Sequence, residues 1–336
     1  MATAQASPAP PANAAPAATG GRQARAATLE LDVIPPGPYR LPPPGRDGVL
    51  RRRNGALTRI LHCPDGSGPA TVSAWVTGGS VRIHASAPTR DCAAYALERM
   101  RFALGVDHDI RPFVRRFRWD PLIGPILRRR PWLRPLRRPE PFEALAWAIT
   151  EQLIESQRAS AIQRVLVRRY GRRSPCGTLR DAPSPARLAD CAQPELESCD
   201  LAAARAQALI RASREVAAGR IDLSREEPAW ERLLAIREIG PWTIECLALH
   251  GQGRDDKIPA GDLAYVKLVG KLAGLGRRAT VEEVHEFFEP YEPYKALAGQ
   301  YMLNAPYLKG PVAGTPASPA RSGRTMRASR PRWSGR

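Results

Sequence analysis

The apolar residues of this chain change their spacing once, near Asp91, and that change limits the folds open to it. Before it, short runs are alternating or apolar throughout: Leu29 to Val33, Leu57 to Leu61, Ala70 to Val76 and Ser80 to His84. Gly66-Ser67-Gly68-Pro69 and Thr77-Gly78-Gly79 supply turns between the later runs, so this stretch predicts a small antiparallel sheet. Beyond Asp91, the residues Tyr95, Leu97, Met100, Phe102 and Leu104 suggest a helix, and an Arg-rich connection follows from Pro112 to Pro141, with Arg128-Arg129-Arg130 and Arg137-Arg138. After it, three-to-four spacing predicts helices over Phe142 to Tyr170, Leu201 to Ala218, Trp230 to Ile236, Thr243 to His250, Leu263 to Ala273, Val281 to Phe288 and Lys295 to Leu303. No predicted strand alternates with these helices, which argues against a parallel α/β sheet. The expected class is therefore α+β: a small N-terminal antiparallel sheet domain (29–110) packed on a mostly helical domain (111–308). The Ala/Pro-rich leader (1–28) and the Ser/Pro/Arg-rich basic stretch (309–336) are expected to be disordered, because neither holds enough apolar surface to offset its ordering entropy.

Charge narrows the choice of partner. The chain has 336 residues, with 51 Lys+Arg against 33 Asp+Glu and a formal charge of +18. Setting aside the nine basic residues of the two ends, the body still carries 42 basic against 33 acidic residues. That sign favours a polyanion, with nucleic acid ahead of an acidic membrane surface, since the basic ends lack the aliphatic face of an interfacial helix. No run of about 18 apolar residues could span a bilayer, and no N-terminal stretch resembles a signal peptide. The six cysteines, Cys63, Cys92, Cys176, Cys191, Cys199 and Cys246, show no CxxC spacing. Neither zinc nor an iron–sulfur cluster is expected, and the cysteines read as free thiols, mostly buried, in a reducing intracellular setting.

Two segments carry chemistry. In Leu233-Leu234-Ala235-Ile236-Arg237-Glu238-Ile239-Gly240-Pro241-Trp242-Thr243-Ile244 a short helix ends near Ile236 and a tight turn leads to a second helix, with Gly240 as N-cap and Pro241 at the first helical position. Free N–H groups at such a start attract an anion, and glycine lets a phosphate come close; an ordinary αα-corner would show the same pattern. In Ile258-Pro259-Ala260-Gly261-Asp262-Leu263-Ala264-Tyr265-Val266-Lys267, Asp262 stands where the next helix begins. Its commonest role there is an N-cap; its sharper one is a carboxylate held ionised by the helix dipole to face a developing positive charge.

Together, a helix–hairpin–helix with a glycine turn followed some twenty residues later by Pro-Ala-Gly-Asp resembles the helix–hairpin–helix (HhH-GPD) DNA glycosylase superfamily, in its DNA-3-methyladenine glycosylase II branch. The resemblance runs from the sheet near Leu29, through Pro141-Phe142-Glu143-Ala144-Leu145 and Glu151-Gln152, to Tyr301. It implies a monofunctional hydrolase acting as a monomer on double-stranded DNA, removing flipped-out alkylated bases and leaving abasic sites, in the cytoplasm with the nucleoid. Asp262 would be catalytic; Arg237, Ile239, Gly240, Thr243 and Lys267 would meet DNA. Trp242 is the first aromatic expected in the base pocket, unless it is a core residue locking the hairpin. Gln152, Trp147, Tyr265 and Tyr301 are further pocket candidates, with Tyr291 and Tyr294 behind them. Relatives that also cut the backbone carry a lysine where this chain has Trp242, so no Schiff base is expected. No cofactor is implied beyond a monovalent cation at the hairpin, and no cysteine follows Cys246 to hold an iron–sulfur cluster. Three departures bear on substrate range: Glu238 replaces the first hairpin glycine, Cys246 a tyrosine one turn after Trp242, and Glu292 an arginine near Tyr291. The alternatives are a glycosylase for uracil or an oxidised purine, and a DNA-binding protein without catalysis.

Overall fold

The computed structural model describes residues 26–64 and 66–305; the leader before residue 26 and the basic stretch after residue 305 lie outside the described residues. By internal contacts the chain divides into two compact units, one of residues up to 109 together with 136–253, the other of 110–135 together with residues from 254 onward. This differs from the expected contiguous domains 29–110 and 111–308.

The first unit opens with strands β1 (Ala27–Val33), β2 (Arg51–Arg53), β3 (Ala56–His62), β4 (Pro69–Thr77) and β5 (Ser80–Ala87), antiparallel in the order β1-β5-β4-β3-β2. Strand β1 begins two residues inside the stretch assigned to the leader. Gly78 and Gly79, with φ of 54° and 85°, form the two-residue turn between β4 and β5; positive φ at both positions is what a tight hairpin needs. Alternate residues of β5 are buried, and they face helix α1 (Arg90–Leu104), whose Ala93, Ala96 and Met100 are buried in the same core. Thr89 caps α1 by accepting from the Cys92 N–H, and Gly105 closes it at φ 60°. Cys63 and Cys92 form a disulfide, which corrects the expectation of six free thiols; among the described residues Cys176, Cys191, Cys199 and Cys246 are outside any disulfide.

A buried ionic network explains why the sheet groups with later helices. Arg59 on β3 is 3% exposed, and its Nη2 lies 2.6 Å from Glu143 Oε2 on helix α4 (Pro141–Glu151). Asp47, 2% exposed, accepts from Trp147 Nε1 on α4 at 2.9 Å and from Arg138 Nη1 at 2.7 Å. Each charge has left water, so each must be matched locally. Burial pushes the Asp47 carboxyl up, but Arg138, the Val49 N–H, Arg59 and Trp147 outweigh it and hold the group below its ordinary range.

The remaining helices of the first unit are α5 (Ser156–Tyr170), α6 (Pro185–Ala189), α7 (Gln193–Glu197), α8 (Ala203–Ala217), α9 (Glu226–Leu234) and α10 (Pro241–Gly251). The expected single helix from Phe142 to Tyr170 is broken between α4 and α5, where Leu153 takes φ 56°. The apolar spacing continues across the break, so periodicity alone could not show it.

The second unit contains two short helices within the Arg-rich connection, α2 (Arg111–Phe117) and α3 (Gly124–Arg129), and then α11 (Leu263–Leu272), α12 (Val281–Phe288) and α13 (Lys295–Leu303). Its core is aromatic. Phe113 meets Phe117 at 5.2 Å and Tyr301 at 5.6 Å between ring centres, both pairs tilted, and Tyr265 meets Phe288 edge-on at 5.8 Å. Among the described residues no helix is long and apolar enough to cross a membrane.

Candidate functional site

Two helix starts, one in each unit, carry the candidate chemistry. At the hairpin, the Ile236 N–H donates to Leu233 O and the Ile239 N–H to Ile236 O, so two tight turns carry the chain from α9 to Gly240. The Gly240 carbonyl then accepts from Thr243 and Ile244, while the Gly240 and Trp242 N–H groups find no acceptor among the described residues. Gly240 is extended (φ −112°, ψ −178°), and a Cβ there would meet nothing within 4 Å. Neither backbone conformation nor crowding within the chain therefore asks for glycine. The open side leaves two free amides at a positive helix end, a natural seat for an anion.

Gln152, just beyond α4, fixes the turn from outside. Its Nε2 donates to Glu238 O at 2.7 Å and to Thr243 Oγ1 at 2.9 Å, holding both ends of the turn at once. Gln152 is thus a brace of the hairpin. Glu238 occupies the left-handed region at φ 73°, a conformation that costs a non-glycine residue about 1–2 kcal/mol. Among the described residues its ion pair is with exposed Arg237 at 3.5 Å, which adds little. Glycine there would relieve the strain but lose about 0.4–1 kcal/mol to greater freedom in the unfolded chain. Glu238→Gly is therefore expected to raise stability by about 0.5–1 kcal/mol and, by removing a carboxylate beside the free amides, to tighten DNA binding. A urea midpoint that stays put or falls would contradict this account of the turn.

Other expected contacts are corrected by burial. Ile239 is 4% exposed with its N–H committed to the turn, and Thr243 is 1% exposed with its Oγ1 accepting from Gln152, so burial sets both side chains inward. Trp147, Tyr265 and Tyr301 lie on the inward faces of their helices; Trp147 donates to Asp47 and Tyr301 to Leu133 O, and none offers a ring face to solvent. Arg237 and Lys267 are exposed and remain available. Trp242 is half-buried, and its indole N–H is buried without a partner among the described residues.

Asp262 is the N-cap of α11, with its Oδ1 accepting from the Ala264 N–H at 2.7 Å. Its own N–H donates to Pro259 O, which closes the Pro-Ala-Gly turn and sets the side chain's direction. The second carboxylate oxygen accepts nothing among the described residues, and the residue is half-buried. The cap and the free oxygen coexist on one side chain.

Residues 146–293, which contain both helix starts, match the sequence model described as HhH-GPD superfamily base excision DNA repair protein. Over this stretch the chain is similar to the HhH-GPD superfamily. DNA-3-methyladenine glycosylase of Bacillus subtilis is 25% identical to it over 211 residues, covering 60% of this chain and 69% of that one. DNA-3-methyladenine glycosylase 1 of Schizosaccharomyces pombe is 27% identical over 175 residues, covering 50% of this chain and 74% of that one. Among solved structures, a 3-methyladenine DNA-glycosylase from Archaeoglobus fulgidus superposes with a TM-score of 0.66 at 20% identity, over 76% of this chain and 88% of the other, a likeness of fold.

Against the rest of the superfamily pattern, the departures have local explanations. Glu292 pairs with Lys295 at 2.6 Å, and its carbonyl accepts from Arg116. Cys246, buried on α10, lines a recess of about 90 Å³ together with Trp147 and Ala148 of α4. One residue was missed altogether. Leu153 stands 104% exposed in the left-handed region, beside the Gln152 brace. Leaving a leucine in water forgoes about 1.5–3 kcal/mol of burial, and the backbone strain adds to that. The only signal in the sequence was its place directly after Glu151-Gln152.

Proposed function

We propose that the chain is a monofunctional DNA glycosylase of base excision repair, hydrolysing the N-glycosidic bond of alkylated bases of the 3-methyladenine and 7-methylguanine type and leaving an abasic site. The observation that carries this reading is Asp262, oriented by its own helix through one oxygen and with the other free. In the first unit the free amides at Gly240 and Trp242 grip the duplex backbone, with Arg237 adding charge; in the second unit the exposed Lys267 is a further cation for phosphate. Extruding a nucleotide costs about a few kcal/mol, less at a damaged pair.

A base alkylated at N3 or N7 carries a positive charge and leaves as a neutral molecule, taking the electron pair of the C1′–N bond, so little help from a general acid is needed. The half-buried ring of Trp242 attracts such a cation by roughly 0.5–2 kcal/mol. As the bond stretches, the sugar becomes oxocarbenium-like; the free oxygen of Asp262 stabilises it and orients water, whose oxygen bonds to C1′ while its proton passes to the carboxylate or solvent. With Trp242 where a lysine would be needed, the sugar is released by water and not by an amine. A monovalent cation at the hairpin stays within the proposal; backbone carbonyls of the turn such as that of Glu238 would hold it, and it would supply positive charge beside a phosphate. Chromatography of bases released from methylated, deaminated and oxidised DNA tests the reading: free 3-methyladenine and 7-methylguanine are expected, and release of uracil or oxidised purines alone would refute it.

Leu153 fits the role of a wedge entering the stack where the base has left, since apolar side chains inserted between base steps offset part of the unstacking cost. Leu153→Ala is expected to slow release from duplex DNA about tenfold or more while sparing single-stranded substrate, which needs no unstacking. Equal losses on both substrates would remove the wedge.

A further inference from the structure

Away from the hairpin, the first unit carries a dense cationic face that the reaction does not use. Edge strand β2 is three consecutive exposed arginines, Arg51, Arg52 and Arg53. Arg51 Nη1 donates to Thr178 O and Arg53 Nη1 to Thr178 Oγ1, so the strand lies against the loop after α5, which bears Arg172, Arg173 and Arg180. Arg173 and Arg180 face each other across a backbone bridge; burial, and then the charge of Arg173, push the Arg180 guanidinium below its ordinary value. Arg164 of α5 donates to Arg46 O, and Arg51 Nε to Gly48 O, which joins the loop before β2 to the same surface.

Among the described residues none of these arginines pairs with a carboxylate. The acids beneath are committed elsewhere: Asp181, 1% exposed, faces His62 at 2.7 Å and accepts the Arg172 N–H, and Asp47 is held by Arg138. No exposed large apolar residue occurs between 46 and 54 or between 164 and 180, so the face suits phosphates and not the interior of a bilayer. Helix α5 runs from the Leu153 turn to this loop; its fifteen residues span about 22 Å, roughly six to seven base pairs of duplex.

We propose that this arginine face is a second duplex contact, holding the backbone phosphates of the DNA flank about 22 Å from Leu153. It rests on DNA being the substrate, as proposed above. Such contacts are independent of sequence and release condensed counterions.

Arg46, Arg168, Arg172 and Arg173 are exposed and make no side-chain hydrogen bond among the described residues, so changing all four to glutamine leaves internal contacts intact. Affinity for abasic duplexes with flanks of about four or about fifteen base pairs is measured across salt concentrations, each phosphate contact adding about 0.9 to the slope. The parent is expected to bind the long duplex more tightly and with the steeper slope, and the R46Q/R168Q/R172Q/R173Q variant to lose that difference while binding the short duplex and releasing base from it as the parent does. An unchanged slope and length preference in the variant would overturn the proposal. So would loss of binding to phosphatidylserine vesicles with no change on DNA. If the parent releases no base from any duplex yet keeps the steeper slope on the long one, the glycosylase reading fails and this contact stands.

Discussion

Asp262→Asn is expected to slow release of 3-methyladenine from methylated DNA about 100- to 1000-fold while leaving affinity for abasic DNA and thermal stability close to those of the parent. The substitution separates the two roles that coexist on this side chain. Asparagine caps a helix about as well as aspartate, so the hydrogen bond to the Ala264 N–H and the start of α11 survive. What is lost is the negative charge that the proposed mechanism sets beside the sugar. Removing one preorganised electrostatic partner of a transition state costs about 10²–10³ in rate, or about 2.7–4 kcal/mol. Single-turnover release at saturating enzyme reads that loss directly. Asp262→Ala should add a stability loss of about 1 kcal/mol through the missing cap. If Asp262→Asn released base at the parent rate, the carboxylate would be a cap and nothing more.

The largest expected stability effect lies far from the chemistry, at Glu143. Arg59 and Glu143 are almost wholly buried, and truncation of the acid leaves a guanidinium inside the protein without its hydrogen-bonded partner, facing the charges of Asp47, Asp181 and Glu140. Breaking a buried pair from one side costs about 3–5 kcal/mol, so Glu143→Ala should lower the unfolding midpoint sharply. Replacing both partners with apolar residues, Arg59→Met with Glu143→Leu, should recover most of the loss, because no charge then lacks a partner. A loss below about 1 kcal/mol for Glu143→Ala would mean that water or a shifted side chain reaches Arg59. The same network sets a pH dependence. The folded Asp47 carboxyl is held below its ordinary range, so its contribution is complete above the unfolded value and is lost as pH falls through the lower folded one. Asp47→Asn should flatten the acid limb of stability measured against pH.

Periodicity exposed the β-then-α order and most helices, because burial of one face leaves a repeat of two or of three to four in the chain. The hairpin was legible from Gly240-Pro241, and Asp262 from the Pro and Gly before it, since turn and cap chemistry is local. The assignments that failed are those for which periodicity carries no information about the neighbour. Tyr265, Tyr301 and Trp147 sit on apolar helix faces, and only their partners Phe288, Leu133 and Asp47 show that those faces are core. Thr243 sits at a helix start, and only its burial and the bond that its Oγ1 accepts from Gln152, 91 positions earlier in the chain, show that its side chain faces inward.

The sequence by itself determined the class of fold, the hairpin, the capping aspartate and the absence of a lysine at the position of Trp242, all of which follow from neighbouring residues obeying backbone sterics and helix-end hydrogen bonding. Tertiary structure alone decided that the sheet joins α4 through Arg59 and Glu143, that Leu153 is left bare, and that arginines from β2, α5 and the loop after it share one surface. Such pairings unite residues up to 127 positions apart, and their energies depend on burial and distance, which appear only when the chain has closed on itself.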